Sequence, residues 1–87
     1  MWTDTQFTGS LEPGATQRWS TSDWPASWHV VWYVVPTSPA APPSGGPQVD
    51  WDVAVERASA DKATYWITVK NLTSDPVTFE GRFAVLN

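Results

Sequence analysis

Val49-Asp50-Trp51-Asp52-Val53-Ala54-Val55-Glu56 is the stretch that decides the fold class. Apolar side chains at 49, 51, 53 and 55 alternate with Asp50, Asp52, Ala54 and Glu56. That period of two is the mark of a strand with one buried and one wet face. Residues 63–70 repeat it, with Tyr65, Ile67 and Val69 between Thr64, Trp66, Thr68 and Lys70. Residues 77–86 repeat it again, with Val77, Phe79, Phe83 and Val85 between Thr78, Glu80, Arg82 and Ala84. Gly81 falls on the inward register of that last strand, where glycine marks a bulge or the close approach of a large neighbour.

The connections 58–62 and 71–76 are short and rich in Asn, Asp, Ser and Pro, which is turn chemistry. Reading both as hairpins makes residues 49–57, 63–70 and 77–86 an antiparallel meander. Keeping apolar opposite apolar sets its register, because a slip of one residue reverses every side chain. Val55 is then expected opposite Tyr65 and Val53 opposite Ile67. Val69 is expected opposite Val77 and Ile67 opposite Phe79. On the outer face Asp50 lies across from Lys70, Trp66 between Ala54 and Glu80, and Thr64 between Glu56 and Arg82.

Upstream, residues 3–11 and 15–21 read as two strands joined by Leu11-Glu12-Pro13-Gly14, whose Pro-Gly pair suits a type II turn. Asp23-Trp24-Pro25 reads as part of a corner over 22–27. The strand 28–35 is apolar or aromatic on both faces, with Trp28, Val30, Trp32 and Val34 on one and His29, Val31, Tyr33 and Val35 on the other. Such a strand is either covered on both sides or presents an interaction surface. Residues 36–47, Pro-Thr-Ser-Pro-Ala-Ala-Pro-Pro-Ser-Gly-Gly-Pro, read as an extended loop within the domain.

Whole-chain arithmetic agrees. The chain has 87 residues, enough for the single domain 1–87. Seven are tryptophan and only one is methionine, with eight prolines and five glycines, which favours pleated sheets over helices. Six strands with an inward face each must fold into two layers or close on themselves. The expected fold is all-β: a small antiparallel β-sandwich of about six strands, jelly-roll or immunoglobulin-like, with a small closed β-barrel as the alternative.

The absence of cysteine excludes disulfides and thiolate-ligated metals, and a single histidine, His29, excludes a multi-histidine cage. A net charge of −4 argues against nucleic acid and anionic membranes. No apolar run approaches the ~20 residues of a spanning helix. No stretch reads as a signal peptide, which leaves the compartment open; secretion as part of a larger protein is one expectation.

Catalysis has little to stand on. His29 lies mid-strand with no Gly-x-Ser-x-Gly nucleophile motif. Asp50 and Asp52 stand on one strand face with Cβ atoms ~6.5–7 Å apart. That spacing suits a glycosidase pair, but so does the plain need for polar residues on an outer face. Calcium at Asp50, Asp52 or Asp4 lacks a loop that converges several oxygens. No enzyme activity and no cofactor are expected. Asn71-Leu72-Thr73 matches the N-glycosylation pattern, but three-residue matches are common by chance and a polar hairpin loop is the preferred account.

The tryptophans carry the functional hint. Trp28, Trp32 and Trp51 have inward registers, whereas Trp66 is outward and Trp24 sits in a loop. Trp66, Trp24 and Trp2, which lies near the terminus, form with His29 and Tyr33 a candidate aromatic platform. Sugar rings stack their flat C–H faces on aromatics, and Arg18, Asp50, Asp52 and Glu80 are candidate partners for hydroxyls. The expected function is a non-catalytic, lectin-like, carbohydrate-binding module with a glycan ligand. The alternative is a self-associating or protein-interaction domain, a homo-oligomer that packs its aromatic face on a second copy.

The order of features resembles the bacterial pre-peptidase C-terminal domain, a small jelly-roll-like β-sandwich. The resemblance rests on Gly9-Ser10-Leu11-Glu12-Pro13-Gly14-Ala15-Thr16-Gln17-Arg18-Trp19, on Asp50-Trp51-Asp52-Val53-Ala54-Val55-Glu56-Arg57 with one extra residue before the arginine, and on Tyr65-Trp66-Ile67-Thr68-Val69. The tryptophan load, the strand Trp28–Tyr33 and the proline loop depart from that family. The resemblance implies an accessory or binding role rather than catalysis.

Overall fold

A computed structural model describes residues 1–87. Six strands follow one another without a helix: β1 Trp2–Leu11, β2 Thr16–Pro25, β3 Val30–Ser38, β4 Val49–Arg57, β5 Lys62–Asn71 and β6 Val77–Val85. They form two three-stranded antiparallel sheets, ordered β1-β6-β3 and β2-β5-β4. The two layers make a sandwich, and no barrel closes.

The hairpin β4–β5 has the expected register. Val53 lies opposite Ile67, Val55 opposite Tyr65 and Asp50 opposite Lys70. The expected continuation of this meander into β6 is corrected. The chain crosses to the other sheet after Asn71, so β6 pairs with β1 and β3 rather than β5. Phe79 therefore lies opposite Gly9, not Ile67, and Val77 opposite Leu11, not Val69. The second neighbour of Trp66 is Ser20 rather than Glu80, and Thr64 has no Arg82 beside it. The cause is that alternation reports only which side chains face the core. A strand shows the same inward set from either layer.

Asn71 holds the crossing in place. Its side chain is fully buried at the end of β5. Its Nδ2 donates to the carbonyls of Leu11, at 3.0 Å, and Asp75, at 2.8 Å. Its Oδ1 accepts from the backbone N–H and the hydroxyl of Thr73, at 2.9 and 2.8 Å. One amide thus bridges the two sheets and shapes the 72–76 loop. Both of its donor hydrogens are engaged, so the Asn71-Leu72-Thr73 match is a structural device, closed to modification in the folded chain.

The two inner strands are β5 and β6, and they supply most of the core. Ile67, Val69, Val77 and Phe79 are essentially inaccessible to solvent. Around them the aromatics form two groups. Phe7 stacks on Trp19 with ring centres 5.0 Å apart, and Phe79 meets both edge-on. Toward the other end Trp24 and Trp32 pack on each other and each on both Tyr65 and Phe83 at 5.0–6.0 Å, with Trp2 and Trp28 around them. Edge-on contacts of this kind match the positive ring edge to the negative face. Gly81 is a close approach, as expected: a Cβ there would run into the Phe7 ring.

Two bulges explain where the alternation misleads. In β1 the register shifts between Thr5 and Phe7, which places both Trp2 and Phe7 on the inward side. In β2 it shifts between Thr21 and Trp24, with Asp23 in the left-handed region at φ 68°. An extra residue reverses the parity beyond it, so Trp24 turns inward and β2 runs through the expected corner. At the far end of β4 the inward register of Val55 carries no burial, and Val55 remains 63% exposed. β3 extends to Ser38, which shortens the proline-rich loop to 39–48.

Burial of Tyr65 raises its hydroxyl above the ordinary value of 10.0. The fold favours the neutral phenol, so this contribution to stability is complete below pH ~10 and is lost as pH rises through the raised value. Melting temperatures are expected to fall more steeply between pH 9 and 11.5 in the parent than in Tyr65→Phe. Parallel curves would assign alkaline unfolding to other groups.

Candidate functional site

The outer face of the β2-β5-β4 sheet is laid out by strand register. Thr16, Lys70 and Asp50 form one cross-strand row, and Arg18, Thr68 and Asp52 the next. Ser20, Trp66 and Ala54 form the third, and Thr64 with Glu56 follows. Trp66 thus stands near the middle of the inner strand's outer side, half-buried between small neighbours. β2 lies beside it in the same sheet, and β1 and β3 belong to the opposite sheet, so no strand covers it.

Arg18 reaches across this face. Its Nε donates to the Thr68 hydroxyl at 3.3 Å, and its guanidinium carbon lies 5.8 Å from the Trp66 ring centre. That is a cation–π distance, with the guanidinium over the indole ring. Beyond Thr68, the edge strand β4 presents Asp50 and Asp52, with Trp51 in the wall between them. These four residues border an open depression of about 250 Å³. The face is polarised: β4 carries acceptors in Asp50, Asp52 and Glu56, while Arg18 and Lys70 supply donors on β2 and β5.

Of the residues singled out in the sequence, the structure gathers four here: Trp66, Arg18, Asp50 and Asp52. The other four lie elsewhere. Tyr33 and Glu80 are on the outer face of the opposite sheet, where Tyr33 faces Arg82 and Glu80 forms an ion pair with Arg82 at 2.7 Å. Trp24 is core, only 8% exposed, with its Nε1 donating to Thr21 Oγ1 at 2.9 Å. Its place in a surface platform is therefore withdrawn. The signal that could have found it is Asp23, one of the few residue types that tolerates the left-handed conformation of a bulge. His29 ties down the C-terminal end instead: its backbone N–H donates to Asn87 Oδ1 at 2.7 Å, and its Nδ1 lies 3.1 Å from the same oxygen.

A second concavity was not legible in the sequence. The proline-rich loop and the 72–75 segment enclose about 450 Å³ at one end of the sandwich. Its walls are mostly prolines, glycines and backbone, with Asp75 the one ionisable lining residue. The loops are tied by Gln48, whose Nε2 donates to the Pro39 carbonyl at 2.8 Å and whose carbonyl accepts from Leu72 N–H at 2.9 Å. Two or more titratable groups do not converge there, so it offers shape rather than chemistry.

Comparison with family models, curated proteins and solved structures returns no match for this chain.

Proposed function

We propose that this domain is a non-catalytic carbohydrate-binding module whose ligand lies along the outer face of the β2-β5-β4 sheet. The observation that carries this reading is Trp66, a half-buried tryptophan at the centre of a sheet face that no strand covers, with the Arg18 guanidinium over its ring and Asp52 diagonally across on β4. A sugar ring needs both surfaces at once. Its C–H face stacks on an indole, and its hydroxyls donate to carboxylates and accept from guanidinium and ammonium groups. The row Arg18–Thr68–Asp52 supplies those partners next to the ring, and the row Thr16–Lys70–Asp50, ~13 Å along the strand from Trp66, continues them. The accessory role agrees with what the pre-peptidase C-terminal resemblance implies.

A glycan array probed with the parent and with Trp66→Ala tests the reading. Aromatic anchors of this kind carry at least ~2 kcal/mol of binding energy, so affinity for the best glycan is expected to fall about 30-fold or more. Melting should change little, because Trp66 is half-exposed and packs against no core residue from the other sheet. A parent that binds no glycan, or a Trp66→Ala variant that binds as well as the parent, would overturn the proposal.

A further inference from the structure

The four sheet edges differ in how they resist pairing. β1 has the bulge after Thr5 and the charge of Asp4. β2 has the bulge at Asp23 and carries Arg18. β4 carries Asp50, Asp52, Glu56 and Arg57. Bulges and charges are the devices by which edges avoid other strands. β3 has neither over Val30–Val35: its register with β6 is unbroken until Pro36, and no residue in it is charged. Val31 and Tyr33 are each 51% exposed on its outer face.

We propose that β3 is a dimerisation edge, and that its occupant is the β3 strand of a second copy, paired antiparallel about a two-fold axis. Val30-Val31-Trp32-Tyr33-Val34-Val35 reads almost the same in both directions, apolar at every position, with the aromatic pair in the middle. An isologous contact requires such self-complementarity. With the axis at Tyr33, the tyrosines face each other and Val31 faces Val35 of the second copy. Val35 then extends the outer row Thr3–Ala84–Val31 by one residue, beside the depression of about 280 Å³ lined by Thr3, Val31, Tyr33, Arg82, Phe83 and Ala84. Two three-stranded sheets become one of six strands.

Charge selects the same edge. Each copy carries −4, so two copies repel. Within the β3 sheet the charges beside the seam are Arg82 and Glu80, opposite Tyr33 and Val35, and they neutralise each other within one copy. The acidic strand β4 offers no such relief. Pro36, lacking an N–H, ends the pairing at the last row, and the contact uses up the free β3 edge of both copies, which limits growth beyond a dimer along this edge.

Sedimentation equilibrium at about 100 µM is expected to give twice the 9.6 kDa chain mass. Tyr33→Lys sets two ammonium groups against each other across the axis, and Val35→Lys buries one against Val31; each should return a single-chain mass. Far-UV circular dichroism should be unchanged, because neither side chain reaches the core. Asp52→Lys, on the other sheet, should leave the dimer intact. A parent that sediments as a single chain, or lysine variants that remain folded dimers, would overturn the proposal. Glycan binding is read at the opposite face and is independent of either result.

Discussion

Phe79→Ala is expected to leave the domain at the margin of folding. Phe79 is 1% exposed on the inner strand β6 and meets Phe7 and Trp19 edge-on. The space over Gly9 is filled by its ring and that of Trp19: a Cβ at Gly9 would lie 2.7 Å from Phe79 Cζ and 2.8 Å from Trp19 Cζ2. Truncation removes the ring that joins the β1 edge to the middle of the sandwich. Buried Phe→Ala changes destabilise by ~3–5 kcal/mol. Phe7 and Trp19 are only partly buried near the sheet edge and can settle into the void, which favours the lower half of that range. Domains of this size have ~5–10 kcal/mol in total. The melting temperature should drop by roughly 12–32 °C, at ~4–8 °C per kcal/mol for a loss of ~3–4 kcal/mol. Phe79→Leu should lose far less. A Phe79→Ala protein that melts within a few degrees of the parent would mean that the two sheets are not packed through this ring.

Asn71→Ala should be almost as damaging, for a polar reason. The substitution deletes four hydrogen bonds, leaving the Leu11 carbonyl without its partner at a buried site and the Thr73 N–H without its partner at a part-buried one. A buried group left unpaired costs ~1–3 kcal/mol; with the Leu11 carbonyl at that full cost and the part-buried Thr73 N–H at the low end, ~1 kcal/mol, a total of ~2–4 kcal/mol is expected. Denaturant midpoints of Asn71→Ala and Asn71→Asp separate the causes. The aspartate keeps the acceptor for Thr73 but turns a carboxylate toward the carbonyls of Leu11 and Asp75, and should be at least as unstable as alanine. An aspartate variant as stable as the parent would show that the bridge between sheets contributes nothing.

The candidate site was half legible. Trp66, Asp50 and Asp52 were readable as outward residues because they lie on regular strands, where parity holds from end to end. Arg18 follows from the same parity in β2, before its bulge. Trp24 was not readable, because a single left-handed residue at Asp23 reverses the count and nothing in the alternation shows it. Tyr33 and Glu80 were assigned the right exposure but the wrong company. Their side chains do point outward, yet from the other sheet, so they cannot share a ligand with Trp66.

The residues by themselves determined the secondary structure. Period-two alternation, β-branched and aromatic content and the punctuation by proline and glycine required strands, and six inward faces required two layers. The β4–β5 register was also determined, since a tight polar loop leaves antiparallel pairing in one register as the way to keep Val53 beside Ile67. Only the tertiary structure decided which strands share a sheet. An inward side chain is buried equally well in either layer, so hydrophobic pattern is blind to the crossing between β5 and β6. What decides it is directional: the amide of Asn71 finds the Leu11 carbonyl across the sandwich, and the Phe7 ring finds the gap at Gly81. Hydrogen bonds and shape select the layer, because burial alone leaves both choices equal.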